Sequence, residues 1–445
     1  MLIIYRIKYF SMNKIETLIY KLEEEKNLKI IIILIFILFA ILSSFLMFNQ
    51  GNSPQFDELA YISHVETIYD SENNWYLGDR NRMPLFNYLM YVSYSNNLSE
   101  DFQYRVFQST NIFFVIIFSI IYVLKLWTFF NSKVYFYCCV VFTIFIPIIS
   151  YIHDVVVEPL FYITYGLFCL YAKDLLETPD RYNYIKFSFI STILYLLKAT
   201  GLNLFFSSLI FIGLINIYKK RISAKTLFIN SFLSFIIFIM LCAPYLIENY
   251  NKFNGHIFYN VNTTFYIWYD SWEEVENGTK LYGDRLNWPN MPEDNIPSIS
   301  KYLSEHTVED ITQRFFQGFK SIFTYYTSIN EFTGSISISI FLLYCFIVYL
   351  KKYTNFSKPK KYNKDSFSFY IFLNSLILII GSAWYSYIAP IPRFTILIII
   401  PIYFLLFRKI DELSQKESFT LKAGNLLIIL FIFLITQSTI LIYQI

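Results

Sequence analysis

The sequence predicts an all-α polytopic membrane protein, with about 11 transmembrane helices and two large loops on the outer face. Three observations predict it. First, of 445 residues 56% are hydrophobic and only 16% charged, whereas soluble domains carry about 25% charged residues. Second, apolar runs recur along the whole chain, and several reach the roughly 18–20 residues that a helix needs to cross a bilayer. Third, the basic residues alternate between the gaps separating those runs.

The expected spans, in order, are 30–48, 106–124, 134–152, 155–172, 185–197, 199–218, 226–247, 334–350, 366–388, 394–407 and 423–443. Two of them, 185–197 (which holds Lys186) and 394–407, are short. With the N-terminus placed in the cytoplasm, the inner segments are 1–29, 125–133, 173–186, 219–225, 351–365 and 408–422, and they hold 25 of the 36 Lys and Arg. Lys219-Lys220-Arg221 and KKYTNFSKPKKYNK are the clearest anchors. Acidic residues run the other way, with 22 of 33 on the outer side. This asymmetry puts the C-terminus outside. The first apolar run has no small-residue cleavage site, so it reads as a retained helix.

Four regions follow: an N-terminal cytoplasmic segment (1–29), a first transmembrane module (30–247) that includes the outer loop 49–105, a second outer segment (248–333), and a C-terminal transmembrane module (334–445). The segment 248–333 is too long for a plain connector. Short helices are expected in both outer regions. DFQYRVFQ reads as the entry to the second span. SISKYLSEHTVEDITQRFFQGFKSIFTYY has Ser at a plausible N-cap and helical apolar spacing, with Arg314 and Lys320 on its polar side; it is expected to lie along the outer interface.

Composition excludes some functions. A net charge of +3 gives no reason to expect nucleic-acid binding. Cys138, Cys139, Cys169, Cys242 and Cys345 all fall in apolar runs without metal-ligand spacing, so they read as small buried hydrophobes. His64, His153, His256 and His306 all fall on the outer side. His64 and His153 with nearby acids could hold a divalent metal, but their spacing does not indicate one. Asn262-Thr-Thr and Asn277-Gly-Thr match the glycosylation acceptor pattern, which is frequent by chance.

Chemistry concentrates in Gly51 to Tyr91, the polar stretch after the first span. Asp57 and Glu58 follow that span closely, which places them at the outer membrane surface. A carboxylate there can act as a general base when a partly dry pocket raises its pKa; the plain alternative is a solvated acidic loop. Tyr61 falls one helical turn later, and Arg80, Arg82 and Pro84 share the loop. A second acidic point is YIHDVVVEP, between the third and fourth spans. Asp154 and Glu158 are four apart and would share one helix face. An ionisable residue such as Glu158 at the membrane boundary is a functional candidate by default. Lys198, in LLKATG, and Arg393, in APIPRFTILIIIP, are basic residues at the outer edge, where they are disfavoured; a lipid-linked phosphate would explain them, and so would snorkelling.

Together these segments resemble the GT-C class of polytopic glycosyltransferases, the protein-O-mannosyltransferase and aminoarabinose-transferase-like family. FDELAYI and the Pro-containing NRMPLFNYL in the first outer loop carry the resemblance, with HDVVVEPLFY in the next, LLKATGL mid-chain and PRFTILIIIPIYFLL near the end. APYLIENYNKFNGHIFYNVNTTFYIWY also resembles the family's outer segment after the seventh span. Pro84 is single where many relatives have Pro-Pro, and LLKATG lacks the usual Arg. The resemblance implies an enzyme of the bacterial plasma membrane that moves a sugar from a polyprenyl-phosphate donor to a glycan, lipid or protein acceptor at the outer face. It implies Asp57 as the base of an inverting transfer. Glu58, Tyr61, Arg82, Asp154 and Glu158 would bind substrate, while Lys198 and Arg393 would stabilise the leaving phosphate. No cofactor is implied with certainty. Two alternatives remain open: a transporter or flippase, expected to carry charges at mid-membrane depth, and a glycan polymerase, expected to depend on bases such as Lys280 and Arg285.

Overall fold

The computed structural model describes residues 25–49, 53–54, 57–79, 82–145, 148, 151–253, 257–259, 267–281, 297–324, 366–389 and 396–414. The expected spans 334–350 and 423–443, the segment 1–24, Arg80, Arg285, His256, Asn262, Cys345 and Arg393 lie outside the described residues, as does the side chain of Lys280.

The described residues form helices and no strands. They are α1 (Glu25–Asn49), α2 (Asp57–Asp70), α3 (Pro84–Tyr91), α4 (Glu100–Leu126), α5 (Lys133–Phe145), α6 (Glu158–Glu177), α7 (Arg181–Leu197), α8 (Thr200–Tyr218), α9 (Ala224–Lys252), α10 (Trp272–Leu281), α11 (Ile299–Glu305), α12 (Val308–Thr324), α13 (Ser366–Ser386) and α14 (Ile399–Ser414). Among the described residues, five helices are long and apolar enough to cross a membrane: Lys29–Asn49, Glu100–Phe129, Thr200–Tyr218, Ala224–Lys252 and Ser366–Ser386. The chain is thus a helical membrane protein.

The centre of the bundle is α6, buried along nearly its whole length, with α4, α7, α8, α13 and α14 packed around it. In contrast, α1 and α9 expose apolar side chains such as Ile33, Leu34, Phe228 and Met240, as lipid-facing helices do. Buried hydroxyls and amides link helices inside the bundle, where hydrocarbon offers no partner. Ser208 of α8 lies 2.7 Å from the Tyr370 hydroxyl and 3.2 Å from Asn374 Oδ1, both on α13. Ser188 of α7 meets Ser234 of α9 at 2.6 Å.

One end of the bundle is fastened by Lys125–Asp174 at 2.5 Å and by Asp411, which accepts the backbone N–H groups of Asn131 (2.7 Å) and Ser132 (3.0 Å) just before α5. The other end carries α2, α3 and the α11–α12 region.

Two expectations are corrected at this second end. Of the expected span 134–152, the described helix covers Lys133–Phe145, while residues 148, 151 and 152 are turn rather than helix. Residues 151–157 form turns, and the next helix starts at Glu158, with Pro159 in its first turn. Asp154 and Glu158 therefore do not share a helix face. Neighbouring side chains satisfy this turn's backbone instead: Gln108 donates to the His153 carbonyl (2.7 Å) and Asn111 to the Asp154 carbonyl (2.8 Å).

Arg314 is also corrected. It is 2% exposed, on the packed side of α12 rather than the polar one. Its guanidinium lies 4.3 Å from the Trp384 ring centre and donates to Asp270 (3.1 Å) and to the Ile267 carbonyl (3.0 Å). Lys320 is exposed. The helical spacing expected over this segment is realised as two helices, α11 and α12, separated at His306 and Thr307. Ser298 caps α11, accepting the Lys301 N–H at 3.2 Å, and Thr307 accepts the Asp310 N–H at 3.2 Å. α12 packs along α13 so closely that a Cβ on Gly318 would fall 1.8 Å from the Ala383 carbonyl oxygen.

Candidate functional site

The site begins where α2 begins. Asp57 and Glu58 occupy its first turn, where the unpaired N–H groups and the helix dipole favour carboxylates. On a helix, adjacent residues point in different directions. Asp57 therefore turns to the surface, with its side chain 36% exposed, and Glu58 turns inward, 5% exposed.

Arg82 meets Asp57. Its Nη2 donates to Asp57 Oδ1 at 2.8 Å, and the guanidinium stands 4.7 Å from the ring centre of Tyr61. Tyr61, one turn along α2, packs edge-on against Phe86 of α3 at 5.0 Å. The Arg82 backbone is fixed as well. Its N–H donates to Asp79 Oδ1 at 2.8 Å, and two residues later Pro84 opens α3, where its missing N–H costs nothing.

Glu58 reaches across the bundle. Its Oε1 accepts the Tyr104 hydroxyl of α4 at 2.8 Å and the Val155 N–H at 2.7 Å. One buried carboxylate thus ties α2 to α4 and to the 151–157 turn, which carries Asp154 and leads into Glu158. Asp154 Oδ1 lies 3.5 Å from His153 Nε2.

Glu158, 2% exposed, accepts Lys198 Nζ at 2.9 Å. Lys198 sits at the break between α7 and α8, a tight junction: a Cβ on Gly201 would fall 2.6 Å from the Tyr195 backbone nitrogen. The pair joins the start of α6 to that junction. From α9, Glu248 accepts the Leu77 N–H at 3.1 Å, so the stretch after α2 is held to α9 as well.

His64 is 2% exposed, with Nε2 3.3 Å from the Tyr76 carbonyl and Nδ1 3.9 Å from Asp79. Burial pushes its pKa below the ordinary imidazole value, and Asp79 offsets this only in part. Among the described residues, no group of three or more His, Cys, Asp and Glu side chains could hold a metal ion.

The structure therefore gathers Asp57, Glu58, Tyr61, Arg82, Asp154, Glu158 and Lys198 at one end of the bundle. Asp79, Tyr104 and Glu248 belong to the same end and were not singled out from sequence. For Asp79 a signal exists: an Asp three residues before Arg82, in GDRNRMP, is the pattern of a side-chain-capped turn. Tyr104 and Glu248 offer none, because their partners lie 46 and 171 residues away.

No known protein family, curated protein or solved structure matches this chain.

Proposed function

We propose that the protein is a membrane glycosyltransferase of the GT-C type, with about 11 spans, that moves a sugar from a polyprenyl-phosphate donor to an acceptor hydroxyl. The observation that carries this reading is the convergence of Asp57–Arg82 and Glu158–Lys198, contributed by four separate parts of the chain, at one end of a membrane bundle. The basic-residue asymmetry supports reading that end as the outer one, with the N-terminus in the cytoplasm and the C-terminus outside, and the family resemblance supports a bacterial plasma membrane.

The chemistry follows from charge. The acceptor oxygen attacks the anomeric carbon from the face opposite the phosphate, inverting it. Asp57 takes the hydroxyl proton, and the bond from the anomeric carbon to the phosphate oxygen breaks with its electron pair on the phosphate. Negative charge thus moves from Asp57 to the leaving group, where Arg82, Lys198 and Arg393 supply positive charge. Glu58 acts by position, holding α2 against α4 and the 151–157 turn. Tyr61 supports Arg82, Asp154 faces the sugar or acceptor hydroxyls, and the buried Glu158 positions Lys198.

The test uses Asp57→Asn, purified in lipid nanodiscs and expressed in cells. The surface glycan that depends on this protein, found by mass spectrometry of cells with and without it, should disappear. The variant should still elute and melt like the parent. Near-normal product from that variant would remove Asp57 from the base role.

A further inference from the structure

We infer that Arg82 is an exchange ligand: it holds Asp57 while the site is empty and transfers to a phosphate group carried by lipid when one enters. The inference rests on reading this end as a lipid-phosphate site, and it adds an order of events to that reading.

Three features of the geometry support it. The Asp57–Arg82 pair is direct, at 2.8 Å, yet partly open to solvent, with side-chain exposures of 36% and 23%. A second anion can therefore reach the guanidinium without unfolding anything. Next, the arginine's anchor is separate from its charge. The Arg82 N–H is held by Asp79, and α3 starts two residues later, so the side chain can re-aim about a fixed backbone. Lastly, the Tyr61 ring lies under the guanidinium, and a planar cation can slide over that face without losing it.

Charge sets the direction of exchange. A polyprenyl-phosphate sugar is a phosphodiester with one negative charge, about an even competitor for Asp57. When the sugar leaves, the phosphate becomes a monoester of charge near −2 at neutral pH. Asp57, having accepted the acceptor's proton, becomes neutral in the same step. Arg82 therefore loses its first partner as its second gains charge, and its planar fork suits bidentate phosphate contact. In the empty site the same arginine occupies Asp57 Oδ1, so that carboxylate oxygen is withheld from an acceptor until phosphate is present.

The experiment reads Asp57 directly. Protein in phosphatidylcholine nanodiscs is treated with a carbodiimide and an amine, and modification of Asp57 is quantified by peptide mass spectrometry. Low modification is expected without additive, with a several-fold rise on adding polyprenyl monophosphate and no rise with the parent polyprenol. Inorganic phosphate is a parallel arm. A rise with the lipid phosphate alone assigns the site to a headgroup, and equal rises assign it to phosphate from either source. Arg82→Met should give high modification that ignores the lipid. Should that variant not elute as folded protein, Arg82→Lys replaces it, with a smaller response to lipid expected.

Unchanged or reduced modification of the parent protein on adding lipid phosphate overturns the inference, as does a full response in either Arg82 variant. Sugar transfer is not read, so the two proposals fail separately. A protein that exchanges Arg82 but moves no sugar loses only the transferase reading. A working transferase whose Asp57 ignores lipid phosphate loses only the exchange.

Discussion

Glu58 offers the most direct test of how this end is built. In Glu58→Ala, the Tyr104 hydroxyl and the Val155 N–H lose their common acceptor. Both residues are buried, at 2% and 1% exposure, so water cannot easily replace it. A buried donor left unsatisfied costs about 1–3 kcal/mol, giving about 2–6 kcal/mol for the two. Removing a buried carboxylate from a place where it pays desolvation returns part of that. A net loss of about 3 kcal/mol is expected, roughly a hundredfold in the folding equilibrium. Glu58→Gln keeps an oxygen where Oε1 stands and should cost about 1 kcal/mol or less. Tyr104→Phe removes one of the two bonds and should fall between them.

The assay is unfolding in mixed micelles, titrating sodium dodecyl sulfate and following helix content by circular dichroism. The expected order is Glu58→Gln, then Tyr104→Phe, then Glu58→Ala as the most damaging. If Glu58→Ala shifts stability by less than about 1 kcal/mol, the tie between α2, α4 and the 151–157 turn does not hold the structure together. If Glu58→Gln is as damaging as Glu58→Ala, the negative charge matters and the accepting geometry does not.

Gly318→Ala should force α12 off α13, because the new methyl would sit 1.8 Å from the Ala383 carbonyl oxygen. A loss of about 1–3 kcal/mol in thermal or detergent unfolding is expected, whereas Gly381→Ala on α13 has open space and should be neutral or slightly stabilising. For His306, burial alone would lower the pKa, but hydrogen bonds to the Tyr302 carbonyl and the Asp270 carboxylate outweigh it and raise it above 6.5. Its charged form therefore stabilises the α11 region fully below about pH 6.5, and that stability is lost as pH rises through the raised value. Hydrogen-exchange protection of 299–305, corrected for intrinsic rates, should fall over that range in the parent protein and stay flat in His306→Gln.

The membrane helices were legible because hydrocarbon imposes a simple rule. A segment that crosses it must be apolar for about 20 residues, and the runs at 30–48, 106–124, 199–218, 226–247 and 366–388 coincide with the five candidate spans. The start of α6 at Glu158 could have been read from Pro159, which favours the first turn of a helix. The inward turn of Arg314 could not. An arginine on a helix reads as solvent-facing unless its carboxylate is known, and here that partner, Asp270, lies 44 residues back. The same limit applies to Glu58. Its neighbour Asp57 looks equivalent in sequence, and only the face of α2 that packs on the bundle separates an exposed acid from a buried one.

Paired charges alone do not single out the site end. The opposite end also has Lys125–Asp174 and Lys173–Glu177, and ion pairs at either end add little to stability. The backbone at 151–157 adds a second observation. A chain that only had to cross the membrane would run helix to helix through a short loop. Residues 151–157 instead form an irregular turn, and Gln108, Asn111 and Glu58, all buried, give their side chains to its carbonyls and N–H. Irregular backbone at a span end is tolerated where protein or a water-lined cavity satisfies it. Committing three buried polar side chains to one turn is hard to explain by packing alone. The turn carries Asp154 and leads into Glu158, and Glu58 fastens it to the helix that begins with Asp57. The turn is therefore the element that sets the distance between the two acidic points, and its geometry, more than any single carboxylate, is what a functional site at this end would require.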